Sequence, residues 1–200
     1  MEISVSYIIE LLGIAVFTIS GAFSAMQKRL DVFGVLIIGF VTALGGGIIR
    51  DVMIGYTPVT WMRDPYIPLI ILLTGLATMF LKNRIKRLKR PFVLFDALGL
   101  GLFTVIGIQK GVAAGLRPEI CIILGTITGS FGGVLRDILL NNVPQIFRKE
   151  IYATACIIGG IAYFALIGTF HKDITRVITI TLVCSIRLVA VRYNFSMPRF

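Results

Sequence analysis

The sequence predicts an all-α integral membrane protein with seven transmembrane helices, arranged as two inverted three-helix repeats plus a seventh helix. Three observations lead there. Of 200 residues, 56% are hydrophobic and only 15% are charged, and the mean hydropathy of +0.92 is far above that of a soluble domain. The apolar residues gather in stretches near the length of about 20 residues that a bilayer-spanning helix needs. Finally, Gly45-Gly46-Gly47-Ile48-Ile49-Arg50-Asp51 is echoed by Gly132-Gly133-Val134-Leu135-Arg136-Asp137, at an offset of 86 residues from Gly46 to Gly132.

Taken in order, the first span covers about Tyr7 to Met26 and is closed by Gln27-Lys28-Arg29. Acidic Glu2 before this run and Lys28-Arg29 after it are the reverse of a cleavable signal peptide. The second span begins near Val32, passes through the glycine cluster and ends before Tyr56-Thr57-Pro58. Asp64-Pro65 marks a boundary, and a third span runs from about Tyr66 to Leu81. Lys82–Arg90, the most polar stretch, reads as a topology determinant, with binding to anionic lipid headgroups a weaker alternative. The fourth span covers about Phe92 to Gln109, and the fifth about Glu119 to Leu140 after Arg117-Pro118. The sixth covers about Tyr152 to Phe170 and the seventh about Ile174 to Val191. The chain thus reads as one transmembrane domain, 1–200, with repeat one at about 7–81, repeat two at about 92–170 and the extra helix at about 174–191.

The net charge of +10 does not point to nucleic acid, because the basic residues lie mainly between apolar stretches. Lys28, Arg29, Lys82–Arg90, Arg148, Lys149, Arg192 and Arg199 collect on one side of the seven-span topology. Only Arg63, Lys110, Arg117, Lys172 and Arg176 fall on the other. The positive-inside rule then predicts a multi-pass protein of the cell membrane, N-terminus outside and C-terminus cytoplasmic, in contact with membrane lipids. Cys121, Cys156 and Cys184 each lie in an apolar stretch, and an odd number of such cysteines reads as packing residues rather than a disulfide framework.

The repeat extends well beyond the glycines. At the same offset Glu10 falls on Asp96, Gly13 on Gly99, Phe17 on Phe103 and Gly21 on Gly107. Gly39 falls on Gly125, Thr42 on Thr128, Arg50 on Arg136, Asp51 on Asp137 and Pro58 on Pro144, with Tyr66 meeting Tyr152. Matches across so many residue types cannot come from composition. Three spans per repeat is an odd number, so the second copy enters the membrane from the opposite face.

Glycine is unfavourable inside a helix, and an ion pair at membrane depth is expensive and usually functional. Glycine clusters beside charge pairs therefore predict breaks in the second and fifth spans. The carbonyls of Gly45, Gly46, Gly47, Gly132 and Gly133, with the hydroxyls of Thr42 and Thr128, would then face a permeating cation. Isolated Gly13, Gly21, Gly99 and Gly107 predict close helix packing instead. Arg50 and Arg136 repel a cation unless Asp51 and Asp137 neutralise them. Two readings stand side by side, a clamp that ties helix ends together and a mobile gate. Glu10 and Asp96 read either as cation-attracting acids at opposite entrances or as helix-terminal carboxylates favoured by the dipole. Trp61 and Tyr66 read as interfacial anchors, and His171 has no metal-ligand partner in sequence. Nothing resembles a nucleophile–base pair, a phosphate loop or a metal motif. The expectation is a protein that is not an enzyme and holds no metal or other cofactor.

The doubled pattern Thr42-Ala43-Leu44-Gly45-Gly46-Gly47-Ile48-Ile49-Arg50-Asp51 with Pro58, and Gly132-Gly133 with Arg136-Asp137 and Pro144, resembles the prokaryotic trimeric intracellular cation (TRIC) channels. That group was long catalogued as uncharacterised membrane proteins or glycine transporters. The resemblance covers nearly the whole chain. It implies seven helices with the N-terminus outside, a homotrimer, and one pathway per protomer for monovalent cations, potassium above all. Animal members carry Lys-Glu-Val where this chain has Arg50-Asp51, and Phe131 stands where the first repeat has Gly45. From the residues alone, a secondary transporter of a small zwitterion such as glycine remains a serious rival, because transporters also use inverted repeats. A non-conducting scaffold is the third reading, and it leaves the ion pairs without a purpose. The resemblance favours the potassium-permeable channel.

Overall fold

The computed structural model describes residues 4–85, 91–148 and 151–193, and its regular elements are all helices. They are α1 (Val5–Gln27), α2 (Val32–Met53), α3 (Thr60–Arg63), α4 (Tyr66–Phe80), α5 (Lys82–Ile85), α6 (Pro91–Ala113), α7 (Pro118–Leu139), α8 (Gln145–Arg148), α9 (Ala153–Leu166) and α10 (Lys172–Arg192). Lys86–Arg90 of the basic cluster, with Glu2, Lys149, Glu150 and Arg199, lie outside the described residues.

Five of these helices, α1, α2, α6, α7 and α10, are long and apolar enough to cross a membrane. Helices α4 and α9 are apolar but have only 15 and 14 residues. At about 1.5 Å per residue they rise roughly 21–23 Å, short of a hydrocarbon core of about 30 Å. The sixth stretch, expected to run to Phe170, stops being helical at Leu166, where Thr169 and Phe170 turn back onto the Leu166 carbonyl beside Gly168.

Local chemistry explains the ends. Ser4 Oγ accepts from Tyr7 N–H at the start of α1, Asp31 Oδ1 accepts from Gly34 N–H at the start of α2, and Pro118 opens α7. The four long repeat helices close alike. Arg29, Gly55, Gly115 and Asn141 each take positive φ, and the next N–H reaches back to the carbonyl of Ala25, Asp51, Gly111 or Asp137. Arg29 and Gly115 form one pair at the offset of 86, Gly55 and Asn141 the other.

Tertiary contacts recur at that offset as well. Phe17 of α1 and Phe103 of α6 stack with centroids 5.2 Å apart. Phe103 lies over Gly13 and Phe17 over Gly99, each ring occupying the space a Cβ would take. Gly21 faces Thr42, and Gly107 faces Thr128. Helices α2 and α7 cross antiparallel, so that Gly46 meets the Thr128 carbonyl and Gly132 meets the Thr42 carbonyl. Helix α10 stands outside this pattern and packs on α6, where Cys184 Sγ donates to Ala97 O at 3.2 Å beside Gly101. All three cysteines are buried and unpaired. Large apolar side chains such as Leu12, Phe33, Leu73, Phe80 and Ile161 face outwards, as lipid-facing or subunit-facing surfaces require.

One expectation fails. Helices α2 and α7 run unbroken through Gly45–Gly47 and Gly132–Gly133, so their carbonyls remain in the helical ladder. The Thr42 and Thr128 hydroxyls bond back to Ile38 O and Leu124 O, each at 2.6 Å. The glycines exist for close approach, which lets two backbones touch while every intrahelical bond survives. Trp61 packs edge-on against Phe40 with ring centroids 5.4 Å apart, and Tyr66 is exposed.

The close crossing is testable. Gly46→Val places a side chain against the facing Thr128 carbonyl and is expected to cost at least the 1–3 kcal/mol or so typical of overpacking. Gly47→Ala meets only Arg50 Nη2 at 3.6 Å, an ordinary contact. Thermal unfolding of detergent-purified protein should show a large loss for Gly46→Val and little for Gly47→Ala. Equal stability of the two variants would contradict this packing.

Candidate ion-pair clusters and cavities

One turn beyond each crossing glycine comes an arginine, and the helix geometry turns it inwards. Arg50 Nε donates to Asp51 Oδ1 at 2.9 Å, and its Nη2 lies 2.7 Å from the same oxygen and 3.7 Å from Glu10 Oε1. Arg136 Nε donates to Asp137 Oδ1 at 2.9 Å, and its Nη1 donates to Asp96 Oδ1 at 2.7 Å and to Ser20 Oγ at 3.1 Å. The Phe92 ring lies 4.5 Å from the Arg136 guanidinium carbon. Both guanidinium groups are buried, and burial without a counter-charge is what membrane proteins avoid.

Each cluster therefore holds one guanidinium and two carboxylates, a formal surplus of one negative charge. The second oxygen of each aspartate is used locally. Asp51 Oδ2 accepts from Thr60 N–H at 2.7 Å, and Asp137 Oδ2 accepts from Gln145 N–H at 3.1 Å. The aspartates thereby tie the short helices α3 and α8 to the ends of α2 and α7.

The clusters differ in tightness. The Asp96 side chain is 1% exposed and locked to Arg136, so it lies in the interior and not at an entrance. The Glu10 side chain is 12% exposed and holds Arg50 only at long range. Ser20, which helps Arg136, corresponds to Ile106 in the other repeat, so Arg50 lacks that partner.

Two cavities lie at opposite ends of α1. One, of about 340 Å³, is lined by Ser4, Ser6, Tyr7, Glu10, Gln109 and Lys110. The other, of about 420 Å³, is lined by residues including Gln27, Lys28, Asp137, Asn142, Gln145 and Arg187. The first reaches Glu10 of one cluster and the second reaches Asp137 of the other. Between the clusters lie the Phe17–Phe103 stack and the α2–α7 crossing, which brings in Thr42, Gly45, Gly46, Thr128 and Gly132. Gly47 and Gly133 flank the guanidinium groups, with the Tyr152 hydroxyl facing Gly133.

Sequence reasoning missed Arg187, Tyr152, Ser20 and Gln145. Arg187 was visible as the charge inside the seventh apolar stretch. At the offset of 86 it faces Gly101 and not a charged residue, so the duplication does not mark it. Its side chain donates to Gln145 Oε1 and lies with its guanidinium carbon 4.7 Å from the Tyr152 ring centroid. Ser20, Tyr152 and Gln145 become partners only through tertiary contact.

Comparison with known proteins agrees with this architecture. The chain is 41% identical over 197 residues to the UPF0126 inner membrane protein YadS of Escherichia coli (strain K12), spanning 97% of this chain and 95% of that protein. A UPF0126 membrane protein of Vibrio cholerae is 40% identical over 202 residues, spanning 100% of this chain and 84% of the relative. The solved structure of a TRIC trimeric intracellular cation channel orthologue from Rhodobacter sphaeroides matches with TM-score 0.89 and 33% identity, over 96% of this chain and 99% of that one. A second TRIC structure, solved to explain conductance through these cation channels, matches with TM-score 0.86 and 35% identity over 98% of each chain. A family model described as "Glycine transporter" matches twice, over residues 7–83 and 93–167, and the two matches start 86 residues apart. This multi-pass membrane protein therefore belongs to the prokaryotic TRIC channel family, the group whose family model bears the glycine transporter description.

Proposed function

We propose that the protein is a homotrimeric, potassium-permeable cation channel with one conduction path in each protomer. The path runs from the Glu10 cavity, past the Glu10–Arg50–Asp51 cluster, the Phe17–Phe103 waist and the Asp96–Arg136–Asp137 cluster, to the Lys28–Arg187 cavity. The observation that carries this reading is the charge count. Two carboxylates surround each buried arginine, so the positions that looked repulsive to a cation are attractive on balance. In this conformation the buried aromatic stack closes the path, and opening requires the two rings to part. The TRIC likeness supports a channel, and the trimer follows from the description of the Rhodobacter sphaeroides relative.

The antiparallel pairing of α1 with α6 and of α2 with α7 supports an inverted repeat of seven spans, with α4 and α9 as short members. Lys28 shares its cavity with Val191 near the end of α10, so both belong to one face, which the basic residues assign to the cytoplasm. Within this frame Arg136, held by two acids and a serine, is the clamp, and Arg50, held loosely by Glu10, is the mobile member.

Recording from purified protein in a planar bilayer tests the function. Unitary current steps with a cation-selective reversal potential are expected, and Glu10→Gln should reduce conductance at about 0.1 M salt more than at about 1 M, where the Debye length falls from roughly 10 to 3 Å. Saturable glycine flux without unitary steps would favour the carrier.

Stability separates clamp from gate. Arg136→Gln strands two buried carboxylates and is expected to cost about 3–5 kcal/mol. Asp96→Asn leaves Arg136 paired with Asp137 and should cost clearly less. Arg50→Gln should also be milder and should change open probability. Thermal denaturation and single-channel recording check both, and equal destabilisation by Arg50→Gln and Arg136→Gln would refute this division.

Topology is checked with single cysteines at exposed Arg84 and Arg117, which should react with impermeant thiol reagents from the cytoplasm and from outside respectively. Labelling of both from one side would remove the inverted repeat.

A further inference from the structure

Arg187 is the buried charge that the two-cluster arrangement leaves unused. It is 2% exposed and sits on α10, the helix outside the repeat. Among the described residues no carboxylate lies within ion-pair distance of it. Its contacts are the Gln145 amide oxygen and the face of Tyr152, both neutral, and its Nε has no hydrogen-bond partner among the described residues. The other two buried arginines each have two acids. Arg187 instead lines the cavity of about 420 Å³ that leads to Asp137.

Among the described residues that form the two clusters and line the two cavities, the remaining charges match from one end to the other. Each cluster carries one guanidinium and two carboxylates, and each cavity has one lysine on its wall, Lys110 at one end and Lys28 at the other. Among these residues Arg187 is the one charge without a counterpart at the other end. Its burial matters because a charge walled by protein acts through a lower effective dielectric than the exposed Lys28. Gln145 also links it to the path, since its N–H is given to Asp137 Oδ2 while its amide oxygen accepts from Arg187.

We propose that Arg187 makes conduction directional, by depleting cations in the Lys28–Arg187 cavity relative to the Glu10 cavity. This rests on the channel reading above. In symmetric salt, cation current entering from the Glu10 end then exceeds current entering from the Arg187 end. One uncompensated charge about 10 Å from the ion changes local occupancy by about two- to fourfold for a dielectric between that of protein and water. The rectification belongs to α10, the helix outside the repeat, because Arg187 has no charged counterpart at the offset of 86.

The test is the single-channel current–voltage curve in symmetric KCl at about 0.1 M and about 1 M. The orientation of each inserted channel is read from the side on which an impermeant thiol reagent modifies a Ser6→Cys background. The unsubstituted Arg187 channel should rectify by about two- to fourfold at the lower salt and become nearly linear at the higher, as screening shortens. Arg187→Gln should be nearly linear at both, and Arg187→Lys should keep the asymmetry. A linear curve for the Arg187 channel at low salt overturns the proposal without any need for a variant to fold. Unchanged rectification in Arg187→Gln likewise overturns it while leaving the channel reading intact. Absence of any unitary cation current overturns both.

Discussion

The structure depends on the backbone-to-backbone crossing of α2 and α7. Gly46 against the Thr128 carbonyl and Gly132 against the Thr42 carbonyl bring two helices closer than any side chain would allow. In a bilayer, where apolar surface gains little by leaving lipid, such close packing is a main source of cohesion. It also places the chemistry. Arg50 and Arg136 lie one helical turn beyond the crossing glycines, on opposite sides of the contact, because the helices run antiparallel. The crossing therefore separates the two charge clusters and holds each at the inner end of its own cavity.

The charge clusters impose a second constraint. A buried guanidinium requires carboxylates close by, and those carboxylates have to come from other helices or from loops that are then anchored. Glu10 and Asp96 tie α1 and α6 to α2 and α7. The second oxygens of Asp51 and Asp137 tie down α3 and α8. The same atoms that keep the interior neutral enough to fold leave a small negative surplus, the charge on which the proposed cation path rests. In the proposed channel, stability and conduction would draw on one set of residues, with the longer Glu10–Arg50 contact the looser of the two.

Equivalence between the halves is broken at identifiable positions. Ser20 corresponds to Ile106, Glu10 to the shorter Asp96, and Gly45 to Phe131. Helix α10, outside the repeat, adds Arg187 to one end only. An exact two-fold structure would present the same surface to both sides of a membrane, whereas these substitutions make one cluster rigid, the other loose, and one cavity more positive.

Much of this was legible in the sequence because it is carried by local or periodic signals. Apolar run length located the long helices, and residue matches at one offset revealed the duplication through Arg50, Asp51, Arg136 and Asp137. What the sequence left open was the purpose of the glycines, since a helix break and a close crossing both favour residues without a side chain. Only the position of the neighbouring helix decides between them, and here Thr42 and Thr128 decide for the crossing. The partners of each arginine were equally beyond reach, because Asp96 lies 40 residues from Arg136 and Ser20 lies 116 from it. Contacts at such separations are set by how helices pack, and burial, which places Asp96 in the interior beside Arg136 and not at an entrance, is a property of the assembled bundle alone.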